Sequence, residues 1–415
     1  MEFYDYLVIG GGVAGTTAAE TIRERDSKAG IAIVSDEPHP LYSRVLLPNY
    51  VKGLVNRERV FLRRREDYQA KDIIFLGGVA AQRLDTTGRV LHVSGGHSLS
   101  FGRLLVATGG RPRRLGIPGE ELGGVSRFQT IVDADRMLEL LPATRRALVV
   151  GGSFIALEYL EILAGRGVST TLVIPQPYFF SRFFEPAASE LLHENFRRHG
   201  IEIIANQRLQ AIGGGTAVES VRLADGRAIQ CDFVGLGIGL ERNTAWSGSS
   251  NLKLSSAGII TDEFLETPVV GIFAAGDAAD FYDLTLQFRH THGNWGNSFR
   301  QGELAGRNMA DPASREPYRS VTSYGIRNLG LSIALVGHVF GGPRITTVSR
   351  LDPAGPSYGR FFFSGQRLVG AALINRHEDR SAITTLIRDA VPFSAAMRGS
   401  LVKPTFDIAS LAAHS

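Results

Sequence analysis

Two glycine-rich segments carry the residues whose types and spacing best suit chemistry. The first reads GGGVAG at residues 10–15 and directly follows the apolar run YLVI. Gly10 permits a tight turn, Gly12 lets the backbone approach a pyrophosphate, and Gly15 lets a helix pack closely on a strand. A helix that begins there directs N–H groups and partial positive charge at phosphates. A purely structural turn is the alternative, so the flanking sequence decides.

Two carboxylates follow the next apolar strand, IAIVS, at the expected distance. Asp36 and Glu37 end this strand, about 20 residues beyond the glycines, where an acidic side chain accepts hydrogen bonds from a ribose. The combination of strand, glycine turn, helix and acidic residue predicts a dinucleotide site.

The same pattern recurs in the segment RRALVVGGSFIALEYLEILAGRGVSTTLVIP. Residues 147–150 form the predicted strand, Gly151 the turn and residues 154–165 the helix. Ser153 and Ala156 replace the second and third fingerprint glycines. A side chain at position 153 crowds a pyrophosphate slightly, although its hydroxyl can donate to phosphate. The chain therefore contains two nucleotide-binding units.

The second site also lacks the acidic residue after its second strand. Pro175 and Gln176 stand there, and Arg182 follows. Gln176 can bond a ribose hydroxyl without repelling a 2′-phosphate, and Arg182 would attract one. The sequence leaves open whether the nucleotide bound there carries a 2′-phosphate.

The elements that must position these segments indicate an α/β protein with two Rossmann-like domains and a small C-terminal α+β domain. From about Ser323, alternating apolar strands appear in LSIALVGHVF, YGRFFFSG and RLVGAALIN, and a helix is predicted at residues 381–389. We expect a discontinuous first domain at 1–118 and 244–322, a second domain at 119–243 and the third at 323–415.

Composition narrows the chemistry. Cys231 is the single cysteine among 415 residues, which rules out an internal disulfide, a dithiol relay and an all-cysteine metal cluster. The net charge of +4 suits either a scattered solvated surface or an acidic partner, and nothing indicates nucleic-acid binding. No apolar run is long enough to span a membrane, and the first residues lack a signal-peptide pattern. A cytoplasmic location is expected.

Two nearby histidines raise the question of a metal site. His290 and His292 would share one face of a strand, but no cysteine or carboxylate cluster accompanies them. Packing near the cofactor or at the surface is favoured over metal binding.

Several motifs together resemble the two-dinucleotide flavoprotein reductases of the pyridine nucleotide-disulfide oxidoreductase superfamily. These are GGGVAG, SDEPHPLYSR, LLVATGGRPR, VVGGSFIALE, GIGLERNT and IFAAGDAAD, in that order over nearly the whole chain. The segment NWGNSFRQGELAGRNMA resembles a helix of the rubredoxin and ferredoxin reductases and of the apoptosis-inducing-factor group. The segments YSRVLLPNYVKG and LVGAALI are most similar to the flavoprotein portion of NAD(P)H nitrite reductases.

The resemblance implies that FAD occupies the first site. Asp36 and Glu37 would meet its adenosine end, Arg44 would lie beside the flavin, and the Val79 backbone would pair with adenine. Asp277 would hold a ribityl hydroxyl, and the helix that follows would point its N-terminus at the cofactor. In the simplest alternative, Asp277 only caps that helix. The expected FAD-binding residues are Gly10, Gly12, Val13, Ala14, Gly15, Asp36, Glu37, Arg44, Val79, Ala107, Thr108, Gly109, Arg111, Gly276, Asp277 and Trp295.

NAD(P)H would occupy the second site, with the choice between NADH and NADPH open and NADH favoured only by analogy. The residues expected there are Gly151, Ser153, Phe154, Ile155, Glu158, Gln176, Arg182 and Gly239. Ferredoxin reductases carry a lysine that pairs with the glutamate of this fingerprint near the flavin. Asn49 stands in the lysine position here and Glu158 in the glutamate position. Without that ammonium, Glu158 either pairs with Arg44, is partly protonated, or only orients the nicotinamide. Glu158, Arg44 and Asn49 are the candidate catalytic residues.

The resemblance implies an FAD-dependent NAD(P)H oxidoreductase that delivers electrons to an acceptor. A small acidic iron–sulfur protein, like a rubredoxin or ferredoxin, is the leading candidate. The alternatives are an oxidase or small-molecule reductase acting at the flavin, and a slow nicotinamide-sensing flavoprotein that works through partners. The sequence fixes neither the acceptor nor the oligomeric state, monomer or homodimer.

Overall fold

The computed structural model describes residues 1–248, 250–291 and 293–412. The strands in this part of the chain are β1 (Glu2–Ile9), β2 (Ile31–Ser35), β3 (Ile73–Gly77), β4 (Ala81–Asp85), β5 (Val90–Val93), β6 (Ser98–Val106), β7 (Gly110–Pro112), β8 (Val125–Arg127), β9 (Arg146–Val150), β10 (Ser169–Val173), β11 (Ile201–Ile204), β12 (Leu209–Gly213), β13 (Ser220–Leu223), β14 (Ala228–Gln230), β15 (Phe233–Leu236), β16 (Leu240–Arg242), β17 (Leu254–Ser255), β18 (Gly258–Ile260), β19 (Ile272–Ala274), β20 (Ala279–Asp283), β21 (Phe288–His290), β22 (Ser323–Asn328), β23 (Leu331–Gly337), β24 (Ile345–Asp352), β25 (Ser357–Ser364) and β26 (Arg367–Ile374).

The α-helices are α1 (Val13–Arg25), α2 (Leu47–Val51), α3 (Arg65–Ala70), α4 (Ile131–Leu140), α5 (Phe154–Ala164), α6 (Pro186–Arg198), α7 (Trp295–Ala310), α8 (Arg380–Arg388), α9 (Ala395–Leu401) and α10 (Ala409–Ala412). Single 3-10 turns occur at Arg44–Leu46, Glu58–Val60, Ser94–Gly96, Ala245–Ser247, Gly276–Ala278 and His377–Asp379. Among these described elements, no helix has both the length and the apolar character needed to cross a membrane.

The chain divides into two compact units. The first comprises Met1–Leu46, Val55–Arg111 and Glu241–Thr322, and the second comprises Leu47–Leu54, Pro112–Leu240 and Ser323–Ser415. The C-terminal segment is thus grouped with the middle of the chain. The three-domain boundaries drawn from the sequence stay a prediction.

A seven-stranded sheet forms the centre of the first unit. Strands run in the order β3-β2-β1-β6-β5-β4, and β19 pairs with β6 beyond the end of β5. β3, β2, β1, β6 and β19 are parallel to one another, whereas β5 is antiparallel to β6. All five residues of β2 are buried, as expected for a parallel strand covered on both faces, which explains its uninterrupted apolar sequence. The carboxyl ends of these parallel strands carry the first glycine turn.

Helices α1 and α7 pack together with very little space between their backbones. A Cβ at Gly302 of α7 would lie 2.2 Å from the Ala14 carbonyl oxygen of α1. The two helices share one hydrophobic core with β1 and β2, including Ala18, Ile22 and Leu304. Glycine at position 302 therefore lets α7 reach the residues just after the first glycine turn.

The second unit contains a parallel five-stranded sheet in the order β11-β10-β9-β15-β8. The predicted strand at 147–150 and helix at 154–165 are confirmed as β9 and α5. A three-stranded antiparallel sheet, β12-β13-β14, follows in the chain. The α/β class with two Rossmann-like halves is confirmed.

The C-terminal segment folds as an antiparallel sheet in the order β22-β23-β26-β25-β24, with α8 after it. The three predicted strands correspond to β23, β25 and β26, and the predicted helix corresponds to α8. Within the second unit, aromatic side chains join this sheet to the loop between β10 and α6. Phe183 contacts Phe340 at 5.7 Å between ring centroids, and Phe184 contacts Tyr358 at 5.9 Å.

Candidate functional site

The first glycine turn has the close contacts that its motif predicts. Gly10 has a φ of +114°, and a Cβ there would lie 2.2 Å from the Ala107 carbonyl oxygen. At Gly15, a Cβ would lie 2.0 Å from the Gly10 carbonyl oxygen. Both positions exclude any side chain because backbone atoms already occupy the space. These two glycines hold β1, α1 and the end of β6 together.

Gly12 differs from its neighbours. It is the N-cap residue of α1, with φ of −74°, and a Cβ built on it meets no described atom within 4 Å. Neither backbone strain nor protein packing therefore requires glycine at this position. The open space lies in front of the helix N-terminus, where N–H groups without intrahelical partners favour an anion. A pyrophosphate fits this arrangement.

The two carboxylates after β2 have different surroundings. Asp36 is exposed, whereas Glu37 is half-buried and accepts a hydrogen bond from the Tyr42 hydroxyl at 2.6 Å. Glu37 also forms an ion pair with Arg44. The structure thus pairs Arg44 with Glu37 and leaves Asp36 as the exposed carboxylate of the two; their contact with adenosine stays a prediction.

The other residues expected around FAD come from the ends of neighbouring elements. The Val79 N–H donates to the Ser35 carbonyl at 2.8 Å, and its backbone pairing with adenine stays a prediction. Thr108 donates its hydroxyl proton to the Asn243 carbonyl at 2.7 Å. Gly109 has a φ of +65° and open space around it, and Arg111 pairs with Glu241 on the surface.

Asp277 lies in the 3-10 turn Gly276–Ala278. Its Oδ2 is 3.8 Å from Arg242 Nη1, and its Oδ1 accepts a bond from Ser298 Oγ at 3.4 Å. Burial raises the pKa of Asp277, although Arg242 opposes the shift. A polar partner such as a ribityl hydroxyl fits a carboxyl group with this environment.

The alternative in which Asp277 caps the helix that follows it is wrong. The turn leads into β20, and α7 begins only at Trp295, where Asn294 caps it by accepting the Asn297 N–H at 2.9 Å. Asp277 is therefore not a helix cap. Gly276 has a φ of +70°, and its N–H donates to Gln301 at 2.8 Å, so the turn is held against α7 from the side.

Trp295 is the half-buried first residue of α7.

His290 bonds Asp283 at 2.9 Å and packs on Phe281. His292 lies outside the described residues, so the pair cannot be placed together. Among the residues that the structure describes, no group of three or more histidine, cysteine or acidic side chains is arranged to hold a metal.

The second glycine turn repeats the geometry of the first. Gly151 has a φ of +112°, and a Cβ there would lie 2.3 Å from the Gly237 carbonyl oxygen. Gly237 thus occupies the place that Ala107 has in the first unit. A Cβ on Gly237 would lie 2.7 Å from the Ala156 Cβ and 2.5 Å from its nitrogen. The facing strand accordingly supplies the glycine that the fingerprint lacks at Ala156.

Ser153 caps α5. Its hydroxyl accepts the Ala156 N–H at 3.3 Å and donates to the Gly237 carbonyl at 2.6 Å. The hydroxyl proton is therefore engaged within the protein, whereas the sequence suggested a phosphate as its acceptor. Phe154 and Ile155 follow as the first residues of the helix, and Gly239, with φ of +93°, lies beyond the facing strand in open space.

Gln176 and Arg182 are exposed, but they have different neighbours. Gln176 Oε1 lies 3.8 Å from the position of a Cβ on Gly152, which places its amide at the glycine turn. The Arg182 guanidinium lies 5.2 Å above the centre of the Phe340 ring. This cation–π contact gives Arg182 a partner within the protein.

A lysine that the motif comparison did not identify lies beside Glu158. Lys52, the residue after α2, has its Nζ 3.9 Å from Glu158 Oε2 and 2.6 Å from Glu161 Oε2. The expectation that Glu158 lacks an ammonium neighbour is therefore wrong. Asn49 is half-buried one turn earlier, and its carbonyl accepts the Leu54 N–H. Arg44 belongs to the first unit, so its pairing with Glu158 stays a prediction.

The protonation of Glu158 follows from this arrangement. Its Oε2 is buried and makes no hydrogen bond with the described residues, and only 14% of the side chain is exposed. Burial raises the pKa of Glu158 to about 7, with Lys52 lowering it and Glu161 raising it. Partial protonation near neutral pH is the outcome that the geometry supports.

Sequence reasoning missed Lys52 and Gly237. Lys52 is one helical turn beyond Asn49, the position of the family lysine. Residues three apart on a helix lie on the same face, and this spacing could have identified Lys52. Gly237 is the first residue of the motif GIGLERNT, which supported the family resemblance without assigning this glycine a packing role.

Comparison with known proteins identifies the family. The pyridine nucleotide-disulphide oxidoreductase profile matches residues 4–302. Nitrite reductase [NAD(P)H] of Bacillus subtilis is 24% identical over 399 residues, 96% of this chain and 49% of that protein. A probable ferredoxin reductase of Castellaniella defragrans is 26% identical over 412 residues, 98% of each chain.

Among solved structures, the ferredoxin reductase for the CYP199A2 system from Rhodopseudomonas palustris superposes with a TM-score of 0.88 at 25% identity, covering 98% of this chain and 100% of that chain. The chain spans about half the length of the two Bacillus subtilis relatives, 49% and 48%. The family suspected from the motifs is confirmed: the chain belongs to the pyridine nucleotide-disulphide oxidoreductase family.

Proposed function

We propose that this protein takes electrons from NAD(P)H and delivers them to a small acidic iron–sulfur protein in the cytoplasm, where reduced nicotinamide is available. The full-length similarity to a probable ferredoxin reductase supports this acceptor. The single cysteine is buried, so a dithiol relay is not part of the route. FAD, when bound, accepts a hydride from reduced nicotinamide and releases electrons one at a time.

The residues of the chain have separate tasks in this proposal. The turn at Gly10, Gly12 and Gly15 holds the FAD pyrophosphate at the start of α1, and Asp277 holds the ribityl chain. The turn at Gly151 and the cap of α5 receive the coenzyme. Glu158 lies on the first turns of α5 and orients the nicotinamide.

The distribution of charge along the chain is the observation that supports an acidic partner. Residues 323–415 contain ten basic and five acidic residues, a formal charge of +5, whereas residues 1–322 contain 35 basic and 36 acidic residues. The positive charge is thus concentrated in the C-terminal segment. Arg327, Arg344 and Arg367 are exposed there and make no ion pair with any described residue. This surface suits an acidic partner.

The test measures two half-reactions separately at increasing ionic strength, using a ferredoxin and a rubredoxin as candidate acceptors. Reoxidation by the carrier should slow steeply as the Debye length falls below ~10 Å, while flavin reduction by NADH or NADPH should change little. Oxygen reoxidising the protein faster than either carrier would favour an oxidase or a direct small-molecule reductase. Absence of rapid flavin reduction by both coenzymes would favour a nicotinamide sensor.

Charge reversal sharpens this test. The combined variant Arg327→Glu, Arg344→Glu and Arg367→Glu should slow carrier reduction and leave nicotinamide-driven flavin reduction intact. A matched control reverses three exposed arginines outside the C-terminal segment, at positions 25, 59 and 222. Equal slowing by both triple variants would show that total charge matters and that the C-terminal surface does not bind the carrier.

A further inference from the structure

Tyr324 of β22 extends from the C-terminal sheet to the start of α5. Its ring centroid lies 4.7 Å from that of Phe154, edge-on at 73°. Phe154 is the first residue of α5, directly after the Ser153 cap. Phe180 contacts the same Phe154 ring at 4.7 Å. The N-terminus of α5, where the second glycine turn opens, therefore has an aromatic wall partly built by the C-terminal sheet.

The hydroxyl of Tyr324 is a polar group without a protein partner. It makes no hydrogen bond within the described part of the chain, and the tyrosine is half-buried. Burial, with a smaller contribution from the nearby Glu158 carboxylate, raises the pKa of Tyr324 above its usual value. The hydroxyl thus keeps its proton and serves as a donor throughout the physiological range.

Glu158 presents the complementary group to the same region. Glu158 lies four residues after Phe154 on α5, and therefore on the face of the helix that Tyr324 contacts. Its Oε2 is buried and accepts no hydrogen bond from any described residue. Lys52 approaches this oxygen only to 3.9 Å, because its ammonium bonds Glu161 at 2.6 Å. The Tyr324 hydroxyl, as a donor, and the Glu158 carboxylate, as an acceptor, thus accompany the aromatic rings at the start of α5.

A primary carboxamide on a flat ring satisfies both groups, because it offers one carbonyl acceptor and two N–H donors. We propose that Tyr324 is a coenzyme-binding residue whose hydroxyl donates to the carboxamide oxygen of the nicotinamide, while Glu158 accepts from the carboxamide nitrogen. This inference rests on the proposed use of the α5 turn for NAD(P)H. It makes the C-terminal sheet part of the nicotinamide pocket.

The experiment compares a ligand that has the carboxamide with one that lacks it. Calorimetric titration of the oxidised holoenzyme with NAD⁺ and with ADP-ribose gives both affinities, and NADP⁺ with its 2′-phosphorylated ADP-ribose is titrated in parallel. Tyr324→Phe keeps the ring contact with Phe154 and should weaken dinucleotide binding about 3- to 10-fold, the effect of one neutral hydrogen bond. Binding of the ADP-ribose compounds should be unchanged.

Tyr358→Phe is the matched control. Tyr358 lies on β25 of the same sheet, and its hydroxyl already bonds Glu185 at 2.7 Å and Ser349 at 3.0 Å. This variant should leave the ratio of the two affinities unchanged. A Tyr324→Phe variant that binds dinucleotide as wild type does, or that loses both ligands equally, would overturn the assignment.

An analogue separates the two hydrogen bonds. In 3-acetylpyridine adenine dinucleotide the amide nitrogen is a methyl group, so only the carbonyl acceptor remains. Tyr324→Phe should weaken this analogue by the same factor as NAD⁺, whereas Glu158→Leu, which removes the acceptor oxygen, should weaken NAD⁺ and spare the analogue. The opposite pattern would assign the carbonyl to another donor. If wild-type holoenzyme binds no dinucleotide and neither coenzyme reduces its flavin, the proposed function itself fails.

Discussion

Replacing Lys52 with methionine should move the pKa of Glu158 well above neutrality. The Lys52 ammonium lies 3.9 Å from Glu158 Oε2. At an effective dielectric constant of about 20, a charge pair at this distance is worth ~4 kcal/mol, or ~3 pKa units. The ammonium also bonds Glu161 and is 20% exposed, so part of this interaction is screened. We expect an increase of at least ~1 unit from the value of about 7.

The assay is anaerobic stopped-flow reduction of the flavin by the preferred coenzyme across the neutral and alkaline pH range. Wild-type protein should show an inflection near pH 7, and Lys52→Met should shift it upward. Glu158→Gln should abolish it, and Lys52→Arg should retain it close to the wild-type position. Lys28→Met, which removes an exposed lysine, is the matched control for charge loss.

Thermal unfolding provides a readout that does not depend on coenzyme. The Glu158 carboxyl holds its proton to a higher pH when folded, about 7 against 4.5. The folded state therefore binds more protons in this window, and stability falls as pH rises through it, by about 3 kcal/mol in total. Glu158→Gln should flatten this part of the profile. An inflection that stays at the wild-type pH in both the Lys52→Met and the Glu158→Gln variants would refute the reasoning.

Three further predictions concern the two glycine turns. Gly12→Val should give a folded protein that purifies without flavin, which is checked by flavin release on denaturation. Gly10→Ala should lower the melting temperature, because of the two positions a Cβ meets protein atoms only at Gly10; thermal melts check this. Gly237→Ala should destabilise the protein by ~1–3 kcal/mol through overpacking against Ala156, measured by denaturant unfolding, and a wild-type midpoint would contradict this. Gln176→Glu should raise the NADH/NADPH ratio of kcat/KM about 5-fold or more, since a carboxylate repels the 2′-phosphate; an unchanged ratio would place the ribose elsewhere.

The glycine turns and the strands that carry them were predictable because their signals are local. An apolar strand, a turn that excludes side chains and a following helix are encoded within about fifteen residues. The surroundings of Asp277 were not predictable in this way. The sequence after it has small residues that suit a helix, but residues 279–283 form β20, which pairs with β18 and β21. Tertiary pairing overrides local preference at such positions.

The partner of Glu158 was missed for a different reason. A motif comparison assigns a role to one aligned position, and Asn49 at that position has no charge. The ammonium reaches the site from Lys52 because a flexible four-carbon side chain can bring its charge from the next turn. Spacing in the sequence predicts where the backbone of a residue lies on a helix. It does not predict where a long, flexible side chain places its charge.

The second glycine turn shows what the helix–strand crossing requires of the chain. In the first unit the helix has glycine at Gly15, where a Cβ would lie 2.0 Å from the Gly10 carbonyl oxygen and 2.9 Å from Val8 Cγ1. In the second unit the helix has Ala156 at the corresponding position, and the end of the facing strand has Gly237, where a Cβ would lie 2.7 Å from the Ala156 Cβ. The methyl group of Ala156 thus takes the space that a side chain at residue 237 would need. A fingerprint that demands glycine on the helix side alone will overlook nucleotide-binding units of this kind, whereas a rule that reads both sides of the crossing would find them.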